Sequence, residues 1–448
     1  MSDQPRVDAD LAALAEDTLK LAQARGAGEV AVGVGQSRFT EIKRRDGAIE
    51  VLRASTSRGL SLTLYLDGRF SSNGTSYLEP AALSRFVDEA LAMTRRLQPD
   101  PHRGLADPSL YGPTPGAEID TWDPRGDVLP MERRHELLEE AELAAREHLM
   151  DGPVVVSVSV SQTSQASRSL QLHSNGFAGE HAQTGHYLGV GVTVRDEGAR
   201  RPQDHDFAGG CHFDILPAAA TIGHEAARRA AFQVGARKLK SGSMTLLVES
   251  RAASRLVGTL LGAATGQALD QRRSFLQEHE GEAVGSPLLD LFDDPLLPRG
   301  VGSRTFDGDG LVARRLSLFS RGVFENPLIG VYYGRKLERS PTTASTSNLV
   351  LTPGEASLDE LVKEIDHGVL VTSFIGGNSS MATGDFSFGI VGEAIAGGER
   401  VHPVSEMNVS GNHLELWKRL VAVGNDPYAY GSRVLPSLRF DDVTLSGS

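Results

Sequence analysis

The sequence is short of cysteine, of basic charge and of long apolar runs. Its one cysteine, Cys211, rules out an internal disulfide and fits a reducing compartment. Lys+Arg number 45 against 58 Asp+Glu, a formal net charge of -13. An acidic chain repels phosphate backbones, which argues against direct binding of nucleic acid. The uncharged stretch 256–269, bracketed by Arg255 and Asp270, is shorter than the about 20 apolar residues that span a bilayer. The N-terminus, Met-Ser-Asp-Gln-Pro-Arg, lacks the basic and apolar pattern of a signal peptide. A cytoplasmic protein without a membrane segment is therefore expected. The sequence has no heptad array or tandem repeat, and no Gly-x-Ser-x-Gly elbow. Gly300-Val301-Gly302-Ser303 lacks the Lys-Ser/Thr of a phosphate loop.

What is present suggests an α+β fold in two domains. Residues 8–25 carry Leu11, Leu14 and Leu21 at helical spacing, with Gly26 as a stop. Residues 29–35 alternate as a strand, and the pairs Asp46-Gly47 and Asp67-Gly68 suit tight hairpin turns. Between them Ile49, Val51, Leu60, Leu62 and Leu64 alternate at period two. Helices are expected at 80–97, 130–150 and 217–234, and strands at 154–160 and 187–194. Pro99, Pro101, Pro108, Pro113 and Pro115 break the intervening stretch into a loop. This half, 1–240, is expected to be helices packed on one antiparallel sheet. The second half, 241–448, is expected to be strand-rich. A strand at 244–249 leads into one helix at 251–269, and a long loop fills 293–310. Strands are expected at 348–351, 389–395, 409–411 and 434–445, with a helix at 357–366 capped by Ser357.

No catalytic constellation stands out on residues alone. His135-Glu136, His224-Glu225 and His279-Glu280 each start like a zinc-protease helix. None has a second His four or five positions on; Glu139 and Glu140, Arg228 and Arg229, and Ala283 and Val284 stand there instead. Asp204-His205-Asp206 with Cys211-His212 is the densest group of donors, but its spacing matches no standard zinc pattern. Asp307-Gly308-Asp309 echoes a calcium loop without its later acidic ligands, so a turn is the plainer expectation.

Several segments together resemble the TldD/PmbA family. They are 256–282, the loop 293–310, Thr383-Gly384-Asp385-Phe386-Ser387, Gly424-Asn425-Asp426 and Pro436-Ser437-Leu438 through Val443-Thr444-Leu445. Ala226-Ala227-Arg228-Arg229 and Gly235-Ala236-Arg237-Lys238 resemble its PmbA/TldE branch. The TldD helix of this family reads Leu-Leu-His-Glu-Ala-x-Gly-His-x-Leu. This chain has Leu260-Leu261-Gly262-Ala263-Ala264-Thr265-Gly266-Gln267-Ala268-Leu269. Gly262 and Gln267 stand at the two His positions and Ala263 at the Glu position. The later Cys ligand also has no counterpart between Gly424 and Pro436.

The resemblance implies a non-catalytic subunit with no metal or cofactor of its own. It would form a heterodimer with a zinc-bearing TldD-like partner and act on unfolded or short peptides. Two alternatives remain: an independent metallopeptidase with relocated ligands such as His205, Cys211 and His212, or a homodimeric binding protein. The family's older association with DNA gyrase gains no support from a chain without a basic stripe.

Overall fold

A computed structural model describes residues 5–112, 118–125 and 129–447. Pro113 and Pro115 of the proline-rich stretch, and Met1 to Gln4 of the N-terminus, lie outside these residues. The first half runs α1 (Ala9–Ala24), β1 (Glu29–Arg45), β2 (Ala48–Leu66), β3 (Arg69–Thr75), α2 (Pro80–Thr94), α3 (Met131–His148), β4 (Val155–His173), β5 (Ala178–Val194), β6 (Gln203–Gly210) and α4 (Ala219–Phe232). The strands form one sheet in the order β3-β2-β1-β4-β5-β6, every neighbour antiparallel.

The turns at Asp46-Gly47 and Asp67-Gly68 have positive φ at both residues (49° and 83°, 49° and 75°), as a two-residue hairpin needs. One sheet face is apolar and covered. Val30, Val32, Leu62 and Leu64 pack under α1 and α2. Val158, Val160, Leu188 and Val190 pack under α3 and α4. Gly223 lets those last two helices close up, since a Cβ there would stand 2.2 Å from the Ala141 carbonyl oxygen. The opposite face carries Gly33, Ser61, Ser159, Ser161 and Thr163 and, among the described residues, has no helix on it.

The strands run well beyond the stretches that alternate. β1 continues past Gly35 to Arg45, and β4 and β5 are each more than twice the expected length. These extensions are largely polar, and their apolar residues, such as Ile42 and Leu170, are too widely spaced to mark a periodicity. β6, which carries Asp204, His205 and Asp206, is likewise a strand that alternation does not show.

The second half runs β7 (Gly242–Val248), α5 (Ser250–Ala263), α6 (Gly266–Asp270), β8 (Leu291–Asp293), β9 (Leu316–Ser320), β10 (Val323–Phe324), α7 (Val331–Lys336), β11 (Leu349–Leu351), α8 (Leu358–Lys363), β12 (His367–Ser379), β13 (Asp385–Ala396), β14 (Glu399–Asn412), α9 (His413–Leu416), β15 (Leu420–Val423), β16 (Arg433–Val434) and β17 (Leu438–Ser446). Two sheets result, β10-β9-β8-β11-β16 and β14-β13-β12-β7-β17-β15, and β14 also pairs with β17. Leu256, Val257, Leu260 and Leu261 of α5 are buried in the core that both sheets share. α8 starts with a full capping box, Ser357 with Glu360.

The expected single strand at 434–445 is two strands in two sheets. The chain passes from β16 to β17 through Leu435-Pro436-Ser437, and Pro436 cannot donate to a ladder.

The loop 293–310 joins the halves. Asn348, fully buried, accepts from the Gly302 N–H and donates to the Asp294 carbonyl and the Ser303 hydroxyl, each at 2.8 Å. On the other side Gln183 donates to the Val301 carbonyl at 2.6 Å, and Arg299 reaches Asp120 at 2.8 Å. Asp307 accepts from the N–H groups of Asp309 and Leu311, so this stretch is a turn held by its own backbone. Among the described residues no helix is long and apolar enough to cross a membrane.

Candidate functional site

The helix expected at 251–269 is broken. α5 ends at Ala263, Thr265 is extended (φ −90°, ψ 146°), and α6 begins at Gly266. The cause lies in a distant segment: the Gly266 N–H donates to the Leu328 carbonyl at 2.7 Å, and the Leu328 N–H to the Ala264 carbonyl at 2.8 Å. Thr265 then caps α6 by accepting from the Ala268 N–H. Gly262, Ala263 and Gln267 therefore do not share one helical face. Gly262 is half-buried under Met381, whose sulfur would stand 2.5 Å from a Cβ at that position. Ala263 is fully buried in the core, and Gln267 is exposed.

The open face of α5 carries Arg251, Ser254, Arg255, Gly258 and Gly262, at the three- and four-residue spacing of one helix side. Over its first half lies a cleft of about 460 Å³. One wall is the segment from Tyr428 to Arg433, and the other is β12 at Thr372, Ser373 and Phe374. β7 pairs with β12 only from Gly368 to Val371, so this part of β12 turns its other edge to the cleft. Asp204, His205 and Phe207 of β6 close one end. The first half of α5 and the segment from Tyr428 to Arg433 thus meet along one cleft.

Arginines dominate this cleft. Arg251 pairs with Asp206 at 3.1 Å. Burial pushes the Asp206 carboxyl up to about 6, with the Arg251 guanidinium opposing the shift. Arg255 donates to the carbonyls of Gly376 and Gly377 at 3.3 and 3.4 Å. Arg433 donates to the Ser254 carbonyl at 3.3 Å and lies 3.6 Å from where a Cβ on Gly258 would be. These donors do not fit a zinc ion. Gly262 and Ala263 have no ligating atom, Gln267 offers a neutral amide, and guanidiniums repel a dication. Among the described residues no group of three or more His, Cys, Asp or Glu side chains could hold a metal. The spacing of Arg251, Arg255, Gly258 and Gly262 was a signal for this face, but only the opposing walls give it meaning.

The other donor cluster is spread along β6 and beyond its end. His205 is exposed, and Asp204 faces Gln233 at 2.8 Å. Cys211 is buried at the far end, accepting from Gln183 and donating to the Gly300 carbonyl. His212 Nε2 donates to the Asp120 carbonyl at 2.8 Å. The structure does not bring His205 together with Cys211 and His212. Glu225 of the second His-Glu pair holds Arg228 at 2.8 Å, and His279 of the third meets Glu282 at 2.8 Å.

The Thr383-Gly384-Asp385-Phe386-Ser387 motif builds the β12–β13 turn beside Met381. Asp385 accepts from the Thr383 hydroxyl at 2.7 Å and from the Asn412 amide at 2.9 Å. Under it His413 is fully buried, facing Phe386 and stacked on Phe275. The Trp417 indole N–H donates to its Nδ1, so Nε2 carries the proton and faces the Ser379 hydroxyl.

Burial lowers the His413 pKa from 6.5 to about 4. Below pH 6.5 the unfolded chain takes up a proton that the folded chain refuses until about pH 4. The stabilisation is thus complete above 6.5 and lost as pH falls toward 4, by roughly 3 kcal/mol at most. His413→Gln can keep both hydrogen bonds but cannot titrate. Its urea midpoint will fall less steeply between pH 6.5 and 4 than that of the parent, and an equal slope would refute the assignment.

Family models match three stretches. The PmbA/TldA metallopeptidase C-terminal domain matches residues 241–447, the central domain 124–231 and domain 1 30–94. The single sheet of the first half crosses the division between the last two. The chain is similar to Metalloprotease PmbA of Escherichia coli O157:H7, 28% identical over 428 residues and covering 94% of each chain. It is also 28% identical to a metalloprotease of Methanothermobacter thermautotrophicus over 411 residues, 88% of this chain and 87% of that one. Among solved structures, a Bacteroides thetaiotaomicron protein described as a candidate modulator of DNA gyrase superposes with a TM-score of 0.95. It is 35% identical and covered in full by 99% of this chain. TldE from Thermococcus kodakarensis shares the fold, with a TM-score of 0.85 at 20% identity over 98% of this chain and 100% of that one. With matching models over most of its length and an α+β fold shared end to end, the chain belongs to the TldD/PmbA metalloprotease family.

Proposed function

We propose that this chain is the non-catalytic, PmbA/TldE-type subunit of a cytoplasmic TldD-like zinc metallopeptidase. The observation that carries the reading is the set of residues at 262, 263 and 267, where α5 ends and α6 begins. Where the family's catalytic subunit presents two histidines and a glutamate, this chain has Gly262, Ala263 and Gln267, and guanidiniums line the adjoining cleft. No carboxylate at 263 can take a proton from a metal-bound water, so the chemistry must come from elsewhere. A heterodimeric partner carrying His-Glu-x-x-x-His would supply the zinc, and this chain would complete the chamber that admits unfolded or short peptides.

Capture of the tagged chain from native extract should recover a homologue with the His-Glu-x-x-x-His motif. The pair should cleave an unfolded polypeptide in a chelator-sensitive way that the lone chain does not. Recovery of only a stable homodimer, or chelator-sensitive cleavage by the lone chain, would overturn the reading.

A further inference from the structure

We propose that the cleft over α5 is a carboxylate-binding subsite, with Arg255 and Arg433 as its anchors. The ligand class, a peptide presenting a carboxylate, rests on the peptidase reading above; the anion chemistry does not. The chain as a whole is acidic, so two guanidiniums facing one cleft call for an explanation. Neither has a carboxylate within salt-bridge distance among the described residues. The acids nearby are already engaged. Asp206 pairs with Arg251. Asp204 accepts from Gln233 and from the His205 N–H, and stands 3.8 Å from Arg229.

Each free guanidinium spends only one nitrogen on long bonds to backbone carbonyls: Arg255 on Gly376 and Gly377, and Arg433 on Ser254. A guanidinium offers five N–H donors in a planar fork that matches a carboxylate, so most of each fork remains available. The two also come from different sides. Arg255 rises from the helix floor toward β12, with its guanidinium carbon 4.7 Å from the Phe388 ring centre. Arg433 comes from the opposite wall and lies over Gly258, 3.6 Å from where a Cβ would be. Phe374 and Tyr428 give the cleft apolar walls for the group that carries the carboxylate. Tyr428 is held in place by its hydroxyl, which donates to the Phe207 carbonyl at 3.0 Å.

The test is calorimetric titration of the purified chain, which needs no partner and so is independent of the heterodimer. Three acetylated pentapeptides serve as probes: Ala-Leu-Val-Ala-Phe with a free C-terminus, its C-terminal amide, and an amide with Glu in place of the central Val. The free acid should bind about tenfold or more tighter than its amide, and weaken in high salt. Arg255→Gln and Arg433→Gln should each remove most of that difference. Both side chains are exposed, so the variants should unfold like the parent. If the Glu-bearing amide matches the free acid, the subsite takes side-chain carboxylates; if only the free acid binds, it takes chain termini. Either supports the assignment. No binding of any probe at millimolar concentration, equal binding of acid and amide, or a double variant that binds the acid like the parent would overturn it.

Discussion

Arg229→Met will cost about 3–5 kcal/mol of stability, the range for removing one partner of a buried ion pair. Arg229 leaves α4 in the first half of the chain and meets Glu249, the residue before α5, in the second. The contact is bidentate, at 2.8 and 2.6 Å, and the arginine side chain is 5% exposed. Glu225 at 3.4 Å and Asp204 at 3.8 Å add negative charge around it. Burial opposes the charge on Arg229, but the hydrogen bonds and charge of Glu249 more than compensate and raise its pKa. Methionine would leave Glu249 and Asp204 without that cation, beside a Glu225 that keeps only Arg228.

The damage should reach the cleft, because Glu249 also fixes where α5 starts. Its N–H donates to the Val371 carbonyl, and its own carbonyl accepts from Ala252 and Ala253. Urea unfolding measures the loss. Pairing Arg229→Met with Glu249→Met should recover part of it, since an apolar pair leaves fewer charges stranded. A single-variant cost under about 1 kcal/mol, the scale of a surface pair, would mean that the bridge does not hold the halves together.

How much of this was legible in the sequence follows from how local each cause is. The hairpin turns at Asp46-Gly47 and Asp67-Gly68 were, because positive φ is a property of those residues. So were α1 to α4, whose apolar stripes answer a single sheet face, and the cap at Ser357. The outer parts of β1, β4 and β5 were not, since a largely polar strand with scattered apolar residues such as Ile42 and Leu170 gives no alternation. The break after Ala263 was not legible either, because Leu328 imposes it from a distant loop. At the candidate site, the family frame made Gly262, Ala263 and Gln267 conspicuous for what they lack. Arg433 stayed invisible and the spacing that includes Arg255 carried no meaning alone: each is an ordinary surface arginine until α5, β12 and the 428–433 segment enclose them.

That geometry sets the outcome of trying to rebuild the catalytic motif. Gly262→His, Ala263→Glu and Gln267→His together restore the family's residue types, yet the triple variant should bind no stoichiometric zinc. It should also lose several kcal/mol of stability. The substitution at 262 is the mildest, because Met381 is half exposed and its sulfur can swing away from a new Cβ. The one at 263 is decisive. Ala263 is fully buried among Leu260, Leu276 and their neighbours, so a glutamate there puts a carboxylate into the core without a counter-charge. The histidine at 267 lies beyond the break, on a helix whose start is tied to Leu328. Arg433, over Gly258 one turn before position 262, keeps a positive charge close to any arriving cation. Metal analysis after zinc loading and a urea titration read both effects. A triple variant as stable as the parent that retains one zinc per chain would show that the frame alone positions the ligands, and that the residue types were all it had lost.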